Sequence, residues 1–318
     1  MKRRVGTMRA RVVWRLSCLS MLSLSTLSGC AVSPLSQRAA TFSTAASATV
    51  VKMQSAYQLV ETTYEEAAMA SLVNQFDMKG FDPASIQPFI PAADMKARTD
   101  LMSALQQYAT LLAEVSGGSE VTELDKESEA LGTNLEVLAK AAPLTALAKN
   151  ANMESGVASA AVDALGRVLI EKRTAKELPS ILESAQKPID TICTLLGQDI
   201  GTPEGTGLRN ELRDKYVELI VDQRTYILAN EAKMSPDEKR TEIAKLPQLV
   251  TAEKQGDTTL EQTQKALEQL ATTNDVLMQT KKDKDAPAFR ALVSQMVAQG
   301  QQLGAVYAAA SAASAKKQ

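Results

Sequence analysis

Between Thr41 and Phe76 the chain runs without a glycine or a proline, and the positions Ala46, Val50, Met53, Tyr57, Val60, Tyr64, Ala67 and Ser71 recur at alternating spacings of four and three. That spacing is one face of a helix. At 1.5 Å per residue the helix is about 50 Å long. A single apolar stripe of that length cannot be buried by a turn or a short strand, so it demands partner helices along its whole extent. Tyr57 and Tyr64 belong to the stripe and are predicted to lie in the core rather than to line a ligand box.

The rest of the chain repeats the pattern. Arg98 to Val115 carries Leu101, Leu105, Tyr108, Leu112 and Val115, and stops at Gly117-Gly118. Val121 to Leu138 follows and is expected to form a helical hairpin with it, until Pro143 kinks or ends the second helix near Ala142. Glu154 to Arg173 is predicted to bury Val157, Ala161, Leu165 and Val168. Ala175 to Leu196 presents a broad apolar face with Pro188 as a kink, and Gly197, Gly201, Pro203, Gly205 and Gly207 make a turn. Leu208 to Glu231 is helical through Leu212, Tyr216, Leu219 and Tyr226. Ser235 with Glu238 forms a capping box, with Pro236 at the first helical position. Pro247 is expected to interrupt that helix, and Thr258 to Gln279 resumes it through Leu260, Leu267, Leu270 and Leu277. The charged run Lys281 to Asp285 is a solvated turn, and a last helix uses Phe289, Val293, Met296, Leu303 and Tyr307.

No segment alternates with period two. Aromatic residues are only 4% of the chain, so Ala, Leu, Val and Met must fill the interior, which suits close helix packing. The fold class is therefore all-α: an elongated, irregular antiparallel helical bundle with long heptad-patterned helices, over residues 41–312, with a flexible tail at 313–318. No 34-residue repeat signature is present, so an up-and-down bundle is favoured over a solenoid.

One loop stands out. Asp77 to Pro91 contains Gly80, Pro83, Pro88 and Pro91, yet it also carries Phe81, Ile86, Phe89 and Ile90. These four are the candidate interaction loop. They either fold back to cap the bundle or form a hydrophobic tip that meets a partner or a membrane.

The chain has no histidine, which removes Ser-His-Asp and Cys-His machinery and histidine-ligated metals. Paired carboxylates would need to converge from different elements, which a sequence does not display. Asp214, Glu218 and Asp222 share one helix face but read as solvation. Of the three cysteines, Cys193 lies on the face of Ile189, Ile192 and Leu196 and reads as a small core residue. The expectation is a non-enzyme with no catalytic, cofactor-binding or metal-binding residues and no cofactor.

The N-terminus points to a location. Lys2, Arg3, Arg4, Arg9, Arg11 and Arg15 precede an apolar run from Leu16 to Leu27, which ends in Leu27-Ser28-Gly29-Cys30. The run is about twelve residues, short of the roughly 20 that a spanning helix requires, and it has the layout of an export signal. Followed by Leu-Ser-Gly-Cys, it resembles the lipobox of bacterial lipoproteins. The resemblance implies cleavage after Gly29, so that 1–29 is a signal peptide, and acylation of Cys30, with 30–40 as a lipidated tether. It also implies residence in the cell envelope. In that class an aspartate after the cysteine favours the inner membrane, and Ala31 stands there instead, so the periplasmic face of the outer membrane is the expected address.

Without the six basic residues of the signal the basic count falls from 35 to 29 against 37 acidic residues, a net charge of −8. That balance disfavours nucleic acid as a partner. Attachment to the membrane is expected through the lipid on Cys30, with an unidentified envelope protein as binding partner. The expected function is a lipid-anchored envelope protein whose helical body binds or scaffolds another component. The alternative is a membrane-active helical protein that inserts a loop or hairpin into lipid.

Overall fold

The computed structural model describes residues 33–79, 86–117, 124–171, 178–279 and 286–315, which all belong to one compact unit. Among them every regular element is a helix: α1 (Pro34–Lys79), α2 (Ala92–Gly117), α3 (Leu124–Leu138), α4 (Ala142–Asn150), α5 (Ser155–Glu171), α6 (Leu178–Ile200), α7 (Leu208–Asn230), α8 (Pro236–Gln279) and α9 (Ala286–Ala315). The protein is all-α. The run 281–285 lies outside the described residues, as do the whole N-terminal stretch 1–32 and residues 316–318 of the expected tail; its first part is corrected, since 313–315 close α9.

Two long helices carry the packing. α1 lies against α2, α7, α8 and α9, and α8 lies against α1, α6, α7 and α9. The heptad stripe of α1 is buried from Ala46 through Tyr64, and Ser71 with it. Serving several partners requires more than one stripe, and Ala39, Phe42, Ala45 and Ala56 are buried as well. Small alanines on these extra faces let neighbouring helices approach closely.

The helix also begins earlier than its periodicity suggests. Residues 34–40, expected in the tether, are the first turns of α1, where Pro34 takes a position that needs no N–H and Ser33 Oγ accepts the Ser36 N–H at 3.1 Å. Ala39 is fully buried there.

Other boundaries move for similar reasons. α1 ends at Lys79 rather than Phe76, and Gly197 belongs to α6 rather than to the turn after it. The turn itself runs from Gly201 to Gly207, and both glycines have positive φ, +68° and +102°. A Cβ at Gly201 would overlap the Thr206 carbonyl, so only glycine fits. Pro188 lies inside α6 and is buried, and Pro247 lies inside α8. The expected break at Pro247 is therefore corrected: a single helix runs from Pro236 to Gln279. The roughly 3 kcal/mol that an internal proline costs is offset at both ends of the helix. At its start the capping box forms as expected, with Ser235 N–H to Glu238 Oε2 at 2.7 Å and Glu238 N–H to Ser235 Oγ at 3.3 Å. Towards its end Leu260, Leu267, Leu270 and Leu277 are all buried.

α3 touches α2, as the expected hairpin requires, but packs chiefly on α5. At their crossing Gly132 and Gly166 face each other so closely that a Cβ on Gly132 would meet Ile170 Cγ1 at 2.5 Å and the Gly166 carbonyl at 3.0 Å. Val157, expected in the core, and Tyr307 are 44% and 43% exposed. On α7 it is Ile227 that is buried, while Tyr226 is only half-buried.

Candidate functional site

Cys30 and Phe81 lie outside the described residues. The rest of the candidate loop is placed firmly. Ile86 is half-buried against the core, and Phe89 and Ile90 are buried in it. Glu61 of α1 holds them: its Oε1 accepts the Phe89 N–H at 2.8 Å and its Oε2 accepts the Ile90 N–H at 2.9 Å. Burial pushes the Glu61 carboxyl above its usual value, against the pull of these two N–H donors. The Phe89 ring sits 5.8 Å from that of Tyr64, and Tyr64 sits edge-on to Tyr216 of α7 at 6.2 Å. Of the two expected alternatives, Phe89 and Ile90 take the cap: both are buried and their amides are accepted by Glu61 of α1.

Behind the loop the α1–α2 seam contains a polar centre. Arg98 of α2 and Asp199 of α6 form a two-pronged ion pair, with Nε to Oδ2 at 2.8 Å and Nη2 to Oδ1 at 2.7 Å. Burial raises the Asp199 carboxyl, offset in part by Arg98. For Arg98, burial works against the charge, but Asp199 more than compensates. Tyr57 of α1 is next to this pair, and burial first, then the Asp199 charge, raise its hydroxyl well above the ordinary value. The Tyr57 hydroxyl and Arg98 Nη1 are both buried without a hydrogen-bond partner. A cleft of about 240 Å³ adjoins them, bounded by Gln54, Glu61, Met95 and Met102 among others.

A second cleft, of about 350 Å³, lies between α6 and α8. It brings together Asp190 from one helix and Glu268 and Asp275 from the other, with Cys193 at its base. Two carboxylates from different elements in one cleft are the arrangement that sequence reading could not display. Desolvation and the nearby Asp275 charge raise Asp190, so a proton here is held more tightly than on an isolated aspartate. Asp275 Oδ1 accepts from Gln186 Nε2 at 3.1 Å. Cys193 is buried among Ile189, Ile192 and Leu196, and burial pushes its thiol far up, so it is a core residue. Asp214, Glu218 and Asp222 are exposed on α7.

Among the described residues no group of three or more His, Cys, Asp or Glu could hold a metal ion, and no helix is long and apolar enough to cross a membrane. No protein-family model, curated protein or solved structure matches the chain.

Proposed function

We propose that the mature chain is a lipid-anchored protein of the bacterial cell envelope, and that its helical body is a binding or scaffolding module held close to the membrane. The observation that carries this reading is the adjacency of the lipobox to the principal packing helix. Only Ala31, Val32 and Ser33 separate Cys30 from the first residue of α1. Four backbone steps reach at most about 14 Å, so the helix on which α2, α7, α8 and α9 pack starts near the acyl chains. Several such chains, at roughly 0.8 kcal/mol per buried methylene, make a stable anchor.

Insertion of the Phe81–Ile90 loop into lipid is the less supported route. It would require Phe89 and Ile90 to leave the core and the two Glu61 hydrogen bonds to break.

The anchor is tested by labelling cells with a radioactive fatty acid and fractionating their membranes. Cys30→Ser is expected to lose the label and release the chain from the membrane fraction; unchanged labelling and fractionation would refute the anchor. The binding role is tested by in-cell crosslinking of the mature chain, which is expected to recover one specific envelope protein. Failure to recover any would remove the scaffolding half of the reading.

A further inference from the structure

α7 has two apolar stripes. The inner one, with Leu212, Tyr216, Leu219 and Ile227, is buried. The outer one consists of Val217, Val221 and Leu228, which are 51%, 54% and 60% exposed. At about 100° per residue these three share an arc with Asp214 and Arg224 no wider than about 80°, centred on the side of the helix away from the core. Asp214 and Arg224 are likewise exposed. A surface helix ordinarily needs only one apolar stripe, so the outer one calls for a partner.

The order of residues on this face indicates which partner. Asp214 precedes Val217 by three positions and Arg224 follows Val221 by three, so the face reads acid, valine, valine, base. Two such faces laid antiparallel about a two-fold axis between Val217 and Val221 match at every position. Each Val217 meets the partner's Val221, and each Asp214 meets the partner's Arg224. Leu228 then extends over the partner's Asn210. Parallel alignment would instead set Asp214 on Asp214 and Arg224 on Arg224. Within its own chain Asp214 has only weak surface neighbours, Asn210 Nδ2 at 3.3 Å and Arg213 Nη2 at 3.8 Å, which leaves its carboxylate accessible.

We infer that the outer face of α7 is a self-association surface, on which two copies of this chain pair antiparallel through Val217 and Val221 with reciprocal Asp214–Arg224 contacts. The two-fold arrangement is isologous, so each contact occurs twice. The face from Asp214 to Leu228 spans about 21 Å of helix. At a helix diameter of about 10 Å that strip covers roughly 200 Å², well short of the roughly 800 Å² per partner of a standard interface, and the pairing is accordingly weak and reversible. It stands independently of the lipid anchor.

The test is photo-crosslinking in cells of the full chain carrying p-benzoylphenylalanine in place of Leu228. The expected product has twice the mass of the chain, with the adduct mapped to residues 207–214 of the second copy. Asp214→Arg or Arg224→Asp alone should lower its yield about ten-fold, because like charges then oppose each other twice. The double variant Asp214→Arg/Arg224→Asp should restore the yield to within about two-fold. Recovery in the double variant can occur only if the two charges face each other across copies. No self-adduct, adducts only to other proteins, single variants that crosslink as well as the parent, or a double variant as weak as the singles would each overturn the proposal. All three substituted positions, Asp214, Arg224 and Leu228, are exposed, so unchanged thermal melting by circular dichroism is expected and confirms that a lost adduct is not lost folding.

Discussion

Arg98 and Asp199 are 101 positions apart in sequence, yet their side chains meet as a buried, two-pronged ion pair that ties α2 to α6. Asp199 is 0% exposed and Arg98 3%. Each charge is tolerable there only because of the other.

Removing one member therefore costs more than removing both. Arg98→Met leaves a buried carboxylate unpaired and is expected to lower the unfolding free energy by about 3–5 kcal/mol in urea titrations at neutral pH. Arg98→Met/Asp199→Leu should lose less than half of that. The single variant should also regain stability on acidification. Without Arg98 the folded-state pKa of Asp199 rises further above its unfolded value, so its protonated form favours folding, and the benefit is lost as pH rises through the folded value. A double variant less stable than the single one would contradict this account.

The glycine crossing of α3 and α5 gives a test of opposite character. Gly132→Ala adds helix propensity, worth about 1 kcal/mol, but its Cβ would meet both Ile170 and the Gly166 backbone. Backbone cannot step aside as a side chain can. Net destabilisation of about 1–3 kcal/mol is expected by chemical denaturation, with partial relief from Ile170→Val. A stabilised Gly132→Ala variant would mean that the two helices are not in contact there.

Glu61 accepts two adjacent amides, one on each carboxylate oxygen. Glu61→Ala should reduce amide-exchange protection at Phe89 and Ile90 by about ten-fold or more, since hydrogen bonds to a charged group contribute about 1.5–3 kcal/mol each. Protection in α5, which packs chiefly on α3 and α6, should stay unchanged. Equal exchange in parent and variant would show that Phe89 and Ile90 are held by packing alone.

Asp190 should reveal itself through pH. Its folded-state value is raised, by desolvation first and then by Asp275. It therefore contributes stability below the unfolded carboxylate value and loses that contribution as pH rises through the raised one. Asp190→Asn should be the more stable protein at neutral pH, by a small margin because the group is exposed, and should lose less stability between pH 4 and pH 7 than the parent. A parent and variant with parallel pH curves would exclude coupling between Asp190 and Asp275.

The helices themselves were legible in the residues. Heptad stripes such as Ala46 to Tyr64 and Leu260 to Leu277 came out buried, and the Ser235–Glu238 box formed as spacing required. These features are local: a period of 3.6 and a cap depend on neighbours within four positions. The same local view misjudged Pro247, which lies inside one continuous helix, and did not foresee that α3, besides touching α2, packs chiefly on α5 through its glycine. It also left Phe89 and Ile90 undecided until Glu61 appeared across the fold to accept their amides. The Arg98–Asp199 pair and the Asp190–Asp275 cleft were invisible in one dimension, because the energy of a buried charge depends on which distant group faces it. The composition and order of residues set which segments coil and which faces are apolar; only the packing of those faces settles which polar groups are sealed together, because a buried charge is tolerated only opposite a partner that the local sequence does not specify.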